Sequence, residues 1–389
     1  MYFKILKYGE RVRKMKYPVV FVHGMFGWGE NEGINKFIPY WGATTGSIIE
    51  YLLRNSVECY SASVGPMSSA WDQACELYAQ LMGTTVDYGE YHSRKFAHKR
   101  FGRTYEKSLF DNWSENNKVH LIGHSFGGNS IRMLAHLLKY GAPEEVRLSG
   151  DNVSPLFLGG QDNLIRSITT ICSPLNGTDA YETANRYKLI YPLKFLALNY
   201  ANIFSRTRLQ GKLVDFHLEQ FGVNDTPNSE DRKGFIESFR TMNKNNDNIQ
   251  YDMSEKGAEI INTRVDIVPS IYYFSYSYNS VEKNRKGNLS PENIDFRLLK
   301  STSKLMLRND RKIGKNTIGN DGLVDVTSAM YPKDEPFKYY NENEKLQSGV
   351  WNVMPTRKGD HGTPIGLFAD TEETHSFYDE LMSILLSIE

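Results

Sequence analysis

Gly123-His-Ser-Phe-Gly127 is the stretch of this sequence best suited to covalent chemistry. A serine with a glycine two positions away on either side can occupy a strained turn between a strand and a helix, its hydroxyl held clear of the backbone. A chain of this length yields roughly 0.1–0.2 such matches by chance, so the flanking residues decide the matter. They fit. Val119-His-Leu-Ile-Gly123 reads as an apolar strand leading in, and Gly127 to Leu138 as an amphipathic helix leading out.

A serine hydroxyl is a poor nucleophile at its free pKa, so Ser125 needs a base beside it and an acid that orients the base. On a strand–turn–helix of this kind the chain order is serine, then Asp or Glu, then His. Of the nine histidines only His361 and His375 come late. His375 falls in the first turn of a closing helix and suits a surface or core role. His361 lies in the glycine-flanked loop Lys358-Gly-Asp-His-Gly-Thr-Pro364, which suits a side chain reaching across a sheet edge, and is taken as the base. For the acid, Asp321 sits in Gly319-Asn-Asp-Gly-Leu-Val-Asp325, a turn signal followed by an apolar strand, with Asp325 as its rival. Acyl chemistry also needs two backbone N–H groups facing the developing oxyanion. Phe126, next after the serine, supplies one, and Met25 of the turn His23-Gly-Met25 the other.

The elements that must position these groups alternate along the chain. Strands are read at 17–23, 56–64, 119–123, 164–172 and from Ile271, with helices at 45–53, 67–82, 127–138 and 374–388 between and after them. That rhythm points to the α/β class: one domain over 1–389, with a mostly parallel sheet covered by helices on both faces. Residues 83–105 read as polar and irregular, and 280–320 as loop-rich. Residues 179–250 break the rhythm and read as an inserted cap. Within it Leu189 to Phe204 is apolar with one charge, Lys194, and fits either a buried core helix or a lid.

Lys plus Arg equals Asp plus Glu at 46 each, which argues against nucleic acid as a partner. No stretch approaches the ~18 apolar residues of a membrane span, and the first residues lack the apolar core of an export signal. Three cysteines are too few for a disulfide framework. A Cys59–Cys75 bridge is weakly supported.

A wider set of motifs carries a resemblance. Pro18-Val-Val-Phe-Val-His-Gly-Met-Phe-Gly-Trp-Gly29, Tyr40-Trp-Gly42, Val64-Gly-Pro-Met-Ser-Ser-Ala-Trp-Asp72, Asp87-Tyr-Gly89 and Arg100-Phe-Gly-Arg-Thr-Tyr105 span the first third of the chain. Tyr251-Asp252, Gly257-Ala258 and Asn320-Asp-Gly322 continue them. Together they resemble the zinc-containing lipases typified by thermophilic bacilli, with staphylococcal lipases and clostridial polyester-cleaving esterases as relatives. The resemblance implies an α/β-hydrolase fold with a helical lid, and a Ser125–Asp321–His361 triad hydrolysing apolar carboxylic esters, acylglycerols foremost. A short-chain or polyester-cleaving esterase is the alternative, and an inactive hydrolase fold used for binding a further one. Read as a lid, Leu189 to Phe204 would open onto a lipid interface, and the relatives suggest export from the cell, against a cytoplasmic alternative.

Two histidines six apart share no helical face and read by themselves as solvated loop residues. The resemblance makes 83–105 a zinc-binding insertion, with Asp72, His92, His98 and Asp247 as ligands of a structural zinc and Asp252 as rival for the fourth. The chain departs from the family pattern at two points. Phe126 stands where bacillar relatives carry Gln, which leaves its N–H unaffected. Thr363 stands where they place a calcium-binding Glu, and Asp370 is the residue that could serve calcium instead.

Overall fold

A computed structural model of the chain describes residues 14–178, 215–223, 231–314 and 317–389, together with Ala180 and Thr183. Seven strands form one sheet: Val19–Val22 (β1), Cys59–Ala62 (β2), Val119–His124 (β3), Ile165–Ile171 (β4), Tyr272–Tyr276 (β5), Phe337–Tyr339 (β6) and Trp351–Val353 (β7). Their order is β6-β7-β5-β4-β3-β1-β2, and every neighbouring pair is parallel.

A parallel sheet needs cover on both faces, which is why its strands read as unbroken apolar runs rather than alternating ones. In β1 all four residues are buried. Val20 and Val22 pack with the helices Ala70–Met82 and Gly127–Tyr140 on one side. Val19 and Phe21 pack with Ile48–Arg54 and Thr371–Ser387 on the other. Each such apolar side chain contributes about 1.5–3 kcal/mol on full burial. Three of these helices start at side-chain caps: Ser47 accepts from the Glu50 N–H at 3.1 Å, Ser69 from Asp72 at 3.3 Å and Asp370 from Glu373 at 2.9 Å.

Several expectations change. Residues 83–105 are not irregular: Thr85–Asp87 and Phe101–Thr104 pair antiparallel, with the helix Glu90–Phe96 between them. Within 280–320 lies a fifteen-residue helix, Leu299–Ile313. Its buried stripe of Leu299, Ser303, Met306, Leu307 and Asp310 lies opposite a charged face, a helical segregation hidden in a segment that is polar overall. The strand expected after Asp321 is absent, and residues 321–330 run as bends and turns. All three cysteines are free and buried, so Cys59 and Cys75 form no bridge. Most of the cap expected at 179–250, including Leu189 to Phe204, lies outside the described residues.

Candidate active site

The carboxyl ends of the central strands gather the expected residues, as parallel α/β sheets require of their sites. Register pairs His124 of β3 with Ile171 of β4, so the next residues, Ser125 and Cys172, emerge side by side. Ser125 has φ +54°, a left-handed conformation that costs a residue with a Cβ about 1–3 kcal/mol. The turn is held by the Ser125 N–H donating to the Ile171 carbonyl at 2.9 Å and the Gly128 N–H to the Ser125 carbonyl at 3.2 Å. The motif glycines are demanded by contact. A Cβ on Gly123 would lie 2.5 Å from the Gly127 carbonyl carbon, and one on Gly127 would strike the carbonyl oxygens of Val22 and His23.

His361 and Asp321 meet each other next to His124, the residue before the serine. Nδ1 of His361 lies 2.8 Å from Oδ2 of Asp321. Oδ1 of Asp321 accepts from the Leu323 and Val324 N–H groups at 2.9 and 2.7 Å. The carboxylate is thus held by its own turn and turned toward the imidazole. With Nδ1–H given to Asp321, Nε2 is the nitrogen left basic. The ring packs on His124, its centroid 4.7 Å away, beside Ser125 in the chain.

The other titratable groups here are kept neutral. Burial, then the nearby His361, pushes His124 well below its ordinary pKa. Burial likewise brings His23 down to about 4. Burial holds the Tyr40 phenol protonated, and burial followed by the charge of Asp321 pushes the Cys172 thiol well up. Among the described residues, neither the Met25 N–H nor the Phe126 N–H meets an acceptor. Such free donors beside a serine can receive an oxyanion. His375, the other late histidine, stacks on Tyr51 at 3.8 Å, away from this cluster.

A second cluster lies apart. One atom each of Asp72, His92, His98 and Asp247 converge within 4.8 Å of one another. Asp72 lies in the first turn of the helix Ala70–Met82, and His92 sits on Glu90–Phe96, whose Tyr91 and His92 N–H groups both donate to Glu145 at 2.8 Å. Asp72 Oδ1, His92 Nε2, His98 Nε2 and Asp247 Oδ2 are all buried without a hydrogen-bond partner among the described residues. The 3.0 Å approach of His92 Nε2 to Asp72 Oδ1 lacks hydrogen-bond geometry.

Orphaned polar atoms of this kind are costly, and two buried carboxylates facing one point call for positive charge between them. Nδ1–H of His98 donates to the Lys99 carbonyl at 2.8 Å, which leaves the Nε2 lone pair facing inward. Two imidazoles and two carboxylates are a donor set that fits zinc. Asp252 stands outside this set and accepts from the Ala70 N–H at 2.8 Å. Asp370 caps the closing helix and joins no metal-ligand cluster among the described residues. A third acidic group, Glu32, Asp215 and His217, already holds a cation, the Arg103 guanidinium.

Tyr40 and His124 were given no role by the sequence reading. Their only signals are their places in the Tyr40-Trp-Gly42 and Gly123-His-Ser stretches, and nothing in the spacing says that they touch.

A doubly covered parallel sheet, with a left-handed serine turn and an Asp–His pair at its carboxyl edge, defines an α/β hydrolase. More narrowly, the chain belongs to the family described as "Lipase-like, C-terminal domain", whose model matches residues 15–389. It is 33% identical over 394 residues to "Lipase 2" of Staphylococcus aureus (strain MRSA252), an alignment covering 96% of this chain and 54% of the relative. The chain spans about half the length of the curated relatives it matches. Its fold is similar to the crystal structure of Staphylococcus hyicus lipase, with TM-score 0.83, 33% identity and 98% of each chain covered. It is also similar to EstA from Clostridium botulinum, with TM-score 0.81, 35% identity, and 97% of this chain and 88% of that one covered. No described helix is long and apolar enough to cross a membrane.

Proposed function

We propose that this protein hydrolyses apolar carboxylic esters, acylglycerols foremost, through an acyl-enzyme on Ser125. The observation that carries the reading is the buried His361–Asp321 pair beside a serine in the left-handed conformation. Ser125 Oγ attacks the ester carbonyl while His361 Nε2 takes its proton, and Asp321 stabilises the imidazolium that forms. The Met25 and Phe126 N–H groups receive the oxyanion. His361 then returns the proton to the leaving alkoxide, and water repeats the sequence in reverse to release the acid.

The apolar ester is inferred from the lipases of the family. The same reading includes a structural zinc held by Asp72, His92, His98 and Asp247. When bound it supplies a cross-link between separate chain segments and no step of the reaction.

A fluorophosphonate probe tests the nucleophile, and p-nitrophenyl esters from acetate to palmitate beside emulsified triacylglycerol test the substrate. The wild type is expected to be labelled and to hydrolyse the longer esters, and Ser125→Ala to do neither. Labelling of Ser125→Ala, or hydrolysis undiminished by that substitution, would overturn the reading.

A further inference from the structure

Gly24 is pinched between two side chains. A Cβ there would lie 2.6 Å from the Ser125 Cβ and 3.0 Å from the Tyr40 hydroxyl oxygen. The Gly24 N–H donates to that hydroxyl at 2.9 Å. Tyr40 Oη lies 2.7 Å from Nδ1 of His124, and Nε2 of His124 lies 3.0 Å from the carbonyl oxygen of His361. The proton positions follow from what each end can do. A carbonyl only accepts, so Nε2 of His124 carries the hydrogen. The buried ring is neutral, so Nδ1 accepts and Tyr40 donates to it. Tyr40 is left free to accept from Gly24. The opposite tautomer of His124 would set the Nε2 lone pair against the His361 carbonyl and lose that bond.

We propose that Tyr40 and His124 are positioning residues that tie the oxyanion loop to the loop of the catalytic histidine across the serine's turn. The inference rests on the reading that Ser125 and His361 do the chemistry. The two bonds cross 84 and 237 residues of sequence, so no local structure would hold these loops in register. Both ends grip main chain. At Gly24 the grip holds the peptide that precedes the one carrying the Met25 N–H, and at His361 it holds the backbone that carries the imidazole. His124 is itself the residue before Ser125. The rings are held from behind by Trp41, whose centroid is 5.3 Å from Tyr40 and 6.1 Å from His124, both edge-on.

The experiment compares Tyr40→Phe, His124→Gln, His124→Ala and the double variant Tyr40→Phe/His124→Ala with wild type and Ser125→Ala. Fluorophosphonate titration counts active sites, so that kcat on p-nitrophenyl butyrate is expressed per competent site. A boronic acid, which forms a tetrahedral adduct, reports the oxyanion hole directly. Thermal melting reports folding.

Tyr40→Phe is expected to lower kcat per titrated site roughly tenfold to a hundredfold, as a small misplacement of reacting groups does. KM should stay within about twofold, and the boronic acid should bind more weakly by a factor similar to the loss in kcat. His124→Gln, whose amide N–H can still reach the His361 carbonyl, should retain more activity than His124→Ala. The double variant should be no worse than His124→Ala, because the two residues act as one link.

Unchanged kcat per titrated site in Tyr40→Phe and His124→Gln would overturn the proposal. So would losses confined to melting temperature and to the number of titratable sites. An active Ser125→Ala protein would instead overturn the reading beneath it, which keeps the two failures apart.

Discussion

His361 and Asp321 are joined twice, by Nδ1 to the carboxylate at 2.8 Å and by the His361 N–H to the Asp321 carbonyl at 2.9 Å. Two loops separated by 40 residues are thereby fixed at both main chain and side chain. Asp321→Asn preserves the main-chain bond and the oxygen that accepts from Leu323 and Val324, but it removes the charge facing the imidazole. Its kcat should fall by roughly 10³–10⁴-fold with little change in melting temperature. Asp325→Asn should stay within a few-fold of wild type. The reverse pattern in steady-state kinetics would assign the acid to Asp325.

Gly24→Ala tests the close approach at the serine. The added Cβ would lie 2.6 Å from the Ser125 Cβ, so either the oxyanion loop or the serine must shift. A loss of about a hundredfold in kcat is expected from a displacement of this size. Activity near the wild-type level would mean that the loop can yield without disturbing the site.

The four orphaned ligand atoms predict about one zinc per chain in protein purified without added metal. Prolonged dialysis against a strong chelator should lower the melting temperature, and added zinc should restore it. His92→Ala should be destabilised in the same way and lose its response to chelator. A metal-free protein that melts at the same temperature as the untreated one would remove the zinc from the reading.

Arg103 donates to Glu32, Asp215 and Glu219 at 2.5–2.7 Å, and His217 lies beside Glu32 at 3.0 Å and Glu76 at 3.7 Å. Burial and Arg103 both oppose charge on His217, yet Glu32 and Glu76 outweigh them and raise its pKa well above 6.5. A group whose pKa rises on folding adds stability that is complete below its unfolded pKa and is lost as pH climbs through the folded value. His217→Gln should therefore cost most melting temperature near about pH 6, and the deficit should shrink as pH climbs well above 6.5 through the raised folded pKa. A deficit independent of pH would mean that His217 acts by packing alone. Arg103→Met should be more damaging, about 3–5 kcal/mol, because it strands buried carboxylates.

The strand, turn and helix around Ser125 were legible because each is a local matter. An apolar run buries on both faces of a parallel sheet, glycines permit the strained turn, and a stripe spaced at three and four makes the helix. His361 and Asp321 were readable as candidates from chain order and loop chemistry. What sequence alone left open is what depends on distance in space. Only the tertiary structure paired Asp321 rather than Asp325 with His361, because two neighbouring carboxylates differ there just in which way their turn faces. Only it brought Asp72, His92, His98 and Asp247 to one point, and linked Gly24 to His361 through Tyr40 and His124. The helix Leu299–Ile313 went unread because the segment is polar overall and looks like loop, although Leu299, Met306 and Leu307 segregate to one face at helical spacing. Local patterns record how a segment buries itself; which polar atoms meet is decided by packing between segments far apart in the chain.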